Sequence, residues 1–148
     1  MLLIYFDVCC LNRPFDDQGQ DRIRLEAEAV LLILGRCEAR EWQWVSSAIV
    51  EEEVNRIPNT ERRYRIKAML KGTSLTVALT DTTVARAREI TALGFRTYDA
   101  LHLACAEQAG AEVLLTSDDD IIRTAARNAE RLKVRVANPL NWILEVSK

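Results

Sequence analysis

The sequence predicts an α/β domain of three layers, α/β/α, built on a central and mostly parallel sheet. Three observations lead there. Short apolar segments of strand length alternate with longer helical patterns along the whole chain, the order that produces parallel βαβ units. The first segment, Leu2–Phe6, is apolar without a break, as a strand covered on both faces must be. A chain of 148 residues, 49% hydrophobic and 28% charged, has the size and composition of one domain, residues 1–148, around one core.

Each element then has its own signal. Asn12–Gln20 reads as a loop because Pro14, Asp16, Asp17 and Gly19 fall within it. Asp21–Arg36 reads as a helix. Ile23, Ala27, Val30, Leu31 and Leu34 recur at helical spacing as its core-facing stripe, and Arg22/Glu26 and Arg24/Glu28 are i,i+4 pairs expected on its outer side. Leu25, Leu32 and Ile33 lie off that stripe, so the helix is apolar over an unusually wide arc. Trp42–Val45 is a short strand, after which Ser46 or Ser47 caps a helix running to about Ile57. A second helix follows Pro58, from Asn59 to Leu70, and stops at Gly72. Leu75–Leu79 is the third strand, and Asp81 or Thr82 caps a helix that ends at Gly94. Thr97 opens the next helix, to Gly110, and Val113–Thr116 is the fourth strand. Ser117 or Asp118 caps a helix to about Leu132, Val134–Val136 is the last strand, and Asn138-Pro139 starts a terminal helix with proline at its first position.

Composition excludes several classes of function. A net charge of −2 with pI near 5.5 is not that of a globally basic nucleic-acid binder, although 16 of the 20 basic residues are Arg, the residue suited to bidentate contact with phosphate or carboxylate. Two stretches are locally basic, 61–71 and 121–135, and in the second Arg123, Arg127 and Arg131 form one cationic stripe open to a solvated, an RNA-facing or an acidic-partner role. Cys9, Cys10, Cys37 and Cys105 have no C-x-x-C spacing, so they are expected as reduced, mostly buried thiols rather than zinc ligands. One histidine excludes a His-rich metal centre. No apolar run approaches the roughly 20 residues of a membrane span. The start MLLIYFDVCC has neither a basic segment nor a small-residue cleavage site, so the expected location is the cytoplasm.

The chemistry-bearing residues are acidic. Asp7 directly follows the first strand and Asp118 closely follows the fourth, which places both at carboxyl ends of buried strands, where sites form in parallel sheets. Asp99 lies in the first turn of a helix whose neighbours Ala100, Leu101, Leu103, Ala104 and Cys105 are apolar. Any one of these is accounted for by a helix cap or the helix dipole. Three converging from separate elements repel one another, and a hard divalent cation, Mg²⁺ or Mn²⁺, relieves that repulsion with oxygen ligands and retained water. Carboxylates with one His and no Cys pattern point to phosphodiester hydrolysis more than to peptide or redox chemistry.

The strand ending IYFDVCCLN, the acidic helix SSAIVEEEV, and YDALHLACAEQAGAEVLLTSDDD together resemble a PIN domain of the kind found in VapC-type toxins of bacterial toxin–antitoxin pairs. The resemblance spans nearly the whole chain, and D-A-L-H-L-A followed by L-L-T-x-D is its most specific part. It implies a nuclease of flap-nuclease likeness holding one or two Mg²⁺ or Mn²⁺ ions and cutting RNA, a small antitoxin partner and a homodimer. It implies Asp7, Asp99 and Asp118 as the first, third and fourth acids, with Thr116 as the threonine two residues before the last. For the second acid the pattern of Ser, five residues, then Glu before an aliphatic runs from Ser47 to Glu53, with Glu52 as the fallback and Glu51 a solvated first-turn residue.

Around these, His102 is three residues after Asp99 and is expected as a satisfied, partly buried histidine able to hydrogen-bond a carboxylate or phosphate. Asn12 and Arg13 follow Asp7 closely enough to hold a substrate phosphate, or belong to a turn fixed by Asn and Pro. Asp120 is a candidate to support the cluster, and Asp119 is expected to pair with Arg123. Rival acid-pocket folds fit less well. A haloacid-dehalogenase-type phosphatase needs D-x-D where this chain has Asp7-Val8-Cys9, and a receiver domain needs a lysine at the end of a late strand, where Lys133 precedes its strand. A stand-alone RNA-processing nuclease and a non-catalytic PIN scaffold are the remaining alternatives, and the four filled acidic positions speak against the scaffold.

Overall fold

In the computed structural model, which describes residues 1–147, the apolar segment Leu3–Phe6 forms β1 at the centre of a five-stranded parallel sheet. It is flanked by β2 (Gln43–Ser47) and β4 (Val113–Leu115), with β3 (Leu75–Val77) and β5 (Arg135–Ala137) at the edges, so the order is β3-β2-β1-β4-β5. Tyr5 is opposite Val45 on one side and Leu114 on the other. The chain winds outward from β1 through β2 to β3, then returns to β4 and β5 on the opposite side. The winding reverses beside β1, and in such sheets the crevice beyond the carboxyl ends at that point is where ligands bind.

Eight helices surround the sheet: α1 (Val8–Asn12), α2 (Asp21–Glu38), α3 (Ala48–Asn55), α4 (Thr60–Leu70), α5 (Asp81–Thr91), α6 (Thr97–Gln108), α7 (Asp119–Arg127) and α8 (Pro139–Val146) among the described residues. α6 lies against β2 and β4 and carries α5 on its outer side, while α2 packs with α8. Side chains alternate across β1. Tyr5 faces α6, where it meets the His102 ring edge-on at 5.7 Å, and Phe6 on the opposite face meets Trp44 edge-on at 5.7 Å. Trp42 meets Trp142 of α8 at 5.1 Å. Full burial of side chains such as Ile4, Phe6, Leu11, Ile33 and Leu103 contributes about 1.5–3 kcal/mol each.

The α/β/α architecture and the element order agree with the sequence reading, and the differences have local causes. The chain re-enters a helix at Val8, immediately after Asp7, and the expected loop opens with a 3-10 turn over Arg13–Phe15. A helix of five residues is too short to show a period. α5 is capped by Thr80, one residue before the expected caps, in a reciprocal pair with Thr83. The stripe on α2 is rotated from the expected one. Leu31 is 53% exposed, Ile33 is fully buried, and Glu26, expected outside, is 1% exposed. Both the sheet and α8 cover this helix, so the buried arc is centred near Val30 and runs through Glu26 and Ile33. Arg24 pairs with Asp21 rather than Glu28.

Candidate active site

Asp7 is the first residue beyond β1, and its backbone N–H donates to the Leu115 carbonyl at 2.9 Å, so it is still stitched to β4 as it enters the crevice. Its carboxylate is buried. The Thr116 hydroxyl donates to Asp7 Oδ2 at 2.8 Å and accepts the Asp118 N–H at 3.1 Å, so one hydroxyl fixes an acid of β1 and the backbone of the acid after β4. Cys9 Sγ donates to the same Oδ2 at 3.3 Å. A buried carboxylate needs such partners, because leaving it without them costs several kcal/mol.

Ser47 caps α3 by accepting the Val50 N–H, and this sets the phase at which Glu53 projects. Glu53 Oε1 lies 2.7 Å from His102 Nε2, and donor atoms of Asp7, Glu53 and His102 all fall within 4.8 Å of one another. Its neighbours point elsewhere. Glu52 pairs with Arg56 at 2.8 Å and accepts from the Tyr98 hydroxyl, and Glu51 is exposed on the side of Lys67 and Lys71. Asp118 caps α7 by accepting from the N–H groups of Asp120 and Ile121 with Oδ1, so the helix-cap role and a place at the crevice coexist, and Oδ2 takes no part in the cap.

Asp99, in the first turn of α6, feels the whole group. Burial, and then the charges of Asp7 and Asp118, push its carboxyl up to about 6, with Glu53 adding to the rise and His102 opposing it. Burial opposes charge on His102, but the hydrogen bond it donates to Glu53 and the nearby charges of Asp7, Glu53 and Asp99 outweigh it and raise the imidazole above its ordinary range. The four acids thus share one electrostatic environment, although only Asp7 and Glu53 lie in the tight cluster with His102. That environment fits a cation. The ligand atoms left open to an ion are carboxylate oxygens, the chemistry a hard divalent ion takes, and the group is mutually repulsive without one.

The remaining candidates divide. His102 is almost fully buried and satisfied at both ring nitrogens, by Glu53 and by the Tyr5 hydroxyl at 2.7 Å. Asn12 bonds the Val8 carbonyl and the Arg62 guanidinium, and it lines a groove of about 550 Å³ that begins at Cys9 and runs past Asn59 and Arg62. Arg13 lines the same groove, but its guanidinium is turned to Glu26 at 2.9 Å and Asp16 at 3.2 Å. Asp120 is exposed and pairs with Arg123. Asp119, expected to take Arg123, is instead gripped by both terminal nitrogens of Arg22, at 2.9 and 2.8 Å.

Sequence reasoning missed the supports behind the acids. Buried Glu26 accepts from Arg13, Arg22 and Asn138, and Arg22 goes on to hold Asp119 and the Ser117 carbonyl. One carboxylate therefore ties the turn after α1, the start of α8 and, through Arg22, the loop that carries Asp118. The available signal was a glutamate lying between Ile23, Ala27 and Val30 on a helix otherwise apolar there. Tyr5 gave no such signal, because Leu2–Phe6 reads as apolar without a break and a phenol hydroxyl does not interrupt it.

A doubly wound parallel sheet with acids gathered at the carboxyl ends of its two central strands defines a class of proteins with an acidic pocket at the winding reversal. Within that class the chain belongs to the PIN domain family, whose model matches residues 4–127, from β1 to the end of α7. The fold is similar to that in the crystal structure of FitAcB from Neisseria gonorrhoeae, with TM-score 0.62 and 18% identity over 92% of this chain and 97% of that one. It is also similar to VapBC-1 from nontypeable Haemophilus influenzae (TM-score 0.56, 13% identity, 94% and 98% covered). A third likeness is to VapBC2 from Rickettsia felis bound to a DNA fragment from their promoter (TM-score 0.54, 17% identity, 93% and 98% covered). No protein of curated function matches the sequence significantly. No helix among the described residues is long and apolar enough to cross a membrane.

Proposed function

We propose that this chain is a metal-dependent endoribonuclease, the toxin of a toxin–antitoxin pair, acting through Asp7, Glu53, Asp99 and Asp118. The observation that carries the reading is the arrival of four acids from β1, α3, α6 and the β4–α7 junction at one crevice of a PIN domain. Mg²⁺ or Mn²⁺ bound there supplies a water of lowered pKa and a positive charge to steady the phosphate as its negative charge develops. The chain's own residues prepare that site. Thr116 and Cys9 aim the Asp7 carboxylate, His102 aims Glu53, and the α7 cap holds Asp118 through Oδ1, leaving Oδ2 outside the cap. Asp99, whose carboxyl is pushed up to about 6 by burial and by the charges of Asp7 and Asp118, would be held ionised by a bound cation.

The groove beyond Cys9 gives single-stranded RNA a path to the acids. Asn12, Arg13, Asn59 and Arg62 line it together with Asp16, whose carboxylate ties down the guanidinium groups of both arginines, Arg13 being held by Glu26 as well. Nuclease assays on unstructured RNA test the reading. Cleavage that needs Mg²⁺ or Mn²⁺, stops with a chelator and vanishes in Asp7→Asn supports it, and wild-type protein that leaves RNA intact with either ion overturns it. Growth arrest on induced expression, absent in Asp7→Asn, supports the toxin role.

The partners follow from the surface. Leu25, Leu31 and Leu32 of α2 are 41%, 53% and 51% exposed, and these leucines, interleaved with the exposed Arg24 and Glu28, are the surface assigned to an interface. The occupant proposed is a second copy of this chain, with the antitoxin placing apolar anchors on nearby helices and a basic residue toward the acids. The four cysteines are free and RNA is the substrate, which together favour the cytoplasm.

A further inference from the structure

A line of buried hydrogen bonds runs from the sheet into the acid pocket. Ser47 Oγ lies 2.7 Å from the Tyr5 hydroxyl, that hydroxyl lies 2.7 Å from His102 Nδ1, and His102 Nε2 lies 2.7 Å from Glu53 Oε1. The four groups come from β2, β1, α6 and α3, and the first three are essentially without solvent contact. Tyr5 sits between Ile4 and Phe6 in the most buried strand, where phenylalanine would pack as well. Its hydroxyl at that depth needs partners, and it has two.

The polarity of the line is set at its outer end. An ionised carboxylate only accepts, so the short contact to Glu53 requires a proton on Nε2. A nitrogen holding that proton has no lone pair left for a cation. At the other end a phenol both donates and accepts, so Tyr5 satisfies Nδ1 and fixes the plane of the ring whichever way that bond runs. Glu53 is the longest and most exposed of the cluster's side chains, at 28%, and one oxygen pinned by His102 leaves the other directed for use.

We propose that Tyr5 and His102 are positioning residues for the acid pocket, holding Glu53 so that its second oxygen, and not the imidazole, meets a bound cation. This rests on the metal-site reading above. Partners of this kind behind a metal ligand change affinity by roughly 10–100-fold when removed.

The chain has a single histidine, so ¹⁵N-histidine labelling yields one imidazole whose couplings show which nitrogen carries the proton. The expected spectrum has Nε2 protonated both without metal and with saturating Mg²⁺. Loss of the Nε2 proton on adding Mg²⁺ would make His102 a ligand and overturn the proposal. Free Mn²⁺ measured by electron paramagnetic resonance gives the second readout. Tyr5→Phe, which removes only a hydroxyl, is expected to weaken Mn²⁺ binding about 10-fold or more. His102→Gln, whose amide still donates, is expected to bind better than His102→Leu. Ile90→Val, a core change on α5, is expected to lower stability and leave Mn²⁺ binding unchanged. Wild type and Tyr5→Phe binding Mn²⁺ equally, or His102→Gln failing as fully as His102→Leu, overturns this role alone. Wild type binding no Mn²⁺ removes the metal site and this role with it.

Discussion

Asp99→Asn is expected to stabilise the metal-free protein at neutral pH while removing its activity. The folded carboxyl titrates at about 6 against an ordinary value of 3.8. Its shift comes first from burial and then from Asp7 and Asp118. Between those two values the folded state holds more protons than the unfolded state. Stability contributed by the neutral acid is therefore full below about 4 and is lost as pH rises through about 6. A shift of this size corresponds to about 3 kcal/mol at most, and partial exposure reduces it to roughly 1–2 kcal/mol. With about 2.1 cal/mol/K per residue of unfolding entropy, that is about 3–6 °C for a chain of 148 residues. Calorimetry in chelator at pH 4.5 and 7.5 measures it. The variant should melt close to wild type at the lower pH and above it at the higher. Mg²⁺ at pH 7.5 should then raise wild type more than the variant, because a cation relieves repulsion that Asn no longer contributes. An Asp99→Asn protein that melts below wild type by the same amount at both pH values would refute the argument, since the carboxyl would then be stabilising by a contact indifferent to charge.

Other perturbations separate the acids from their supports. Glu53→Gln should reduce RNA cleavage far more than Glu51→Gln or Glu52→Gln, and a silent Glu53→Gln beside a damaging Glu52→Gln would move the second acid by one residue. Thr116→Val keeps the shape and loses the hydroxyl shared by Asp7 and Asp118, so Mn²⁺ binding should weaken roughly 10-fold in titrations with the fold intact by circular dichroism. Glu26→Ala leaves Arg13, Arg22 and Asn138 without their common acceptor and should cost about 3 kcal/mol in urea unfolding; a change within 0.5 kcal/mol, roughly that of an ordinary surface substitution, would show that Asp16 and Asp119 suffice. Light scattering should give a dimer at tens of micromolar, roughly the range in which a weak interface is populated. Leu32→Glu should yield monomer, and an unchanged dimer would place the interface away from α2.

What the sequence reveals here is divided by the range of the physics involved. Strand placement follows from apolar runs, helix starts follow from caps such as Ser47, Asn59 and Asp118, and these were legible because each is decided within a few residues. The acids were legible one at a time for the same reason: a charged residue directly after a buried strand is conspicuous whatever surrounds it. Partnerships were not. Asp119 chooses Arg22, 97 positions away, over Arg123 on its own helix, because α2 brings a guanidinium able to meet both carboxylate oxygens at once. Glu26 has an i,i+4 partner as the spacing requires, yet it is buried, because a second guanidinium, from Arg13 in the turn after α1, and the amide of Asn138, which caps α8, complete its contacts. His102 shows the same division most clearly. Its spacing from Asp99 put it beside the acids, but which nitrogen faces which group is set by Tyr5 and Glu53, on β1 and α3. Local periodicity therefore determines where the acids stand, and contacts across the sheet determine which of their oxygens remain available to a substrate or an ion.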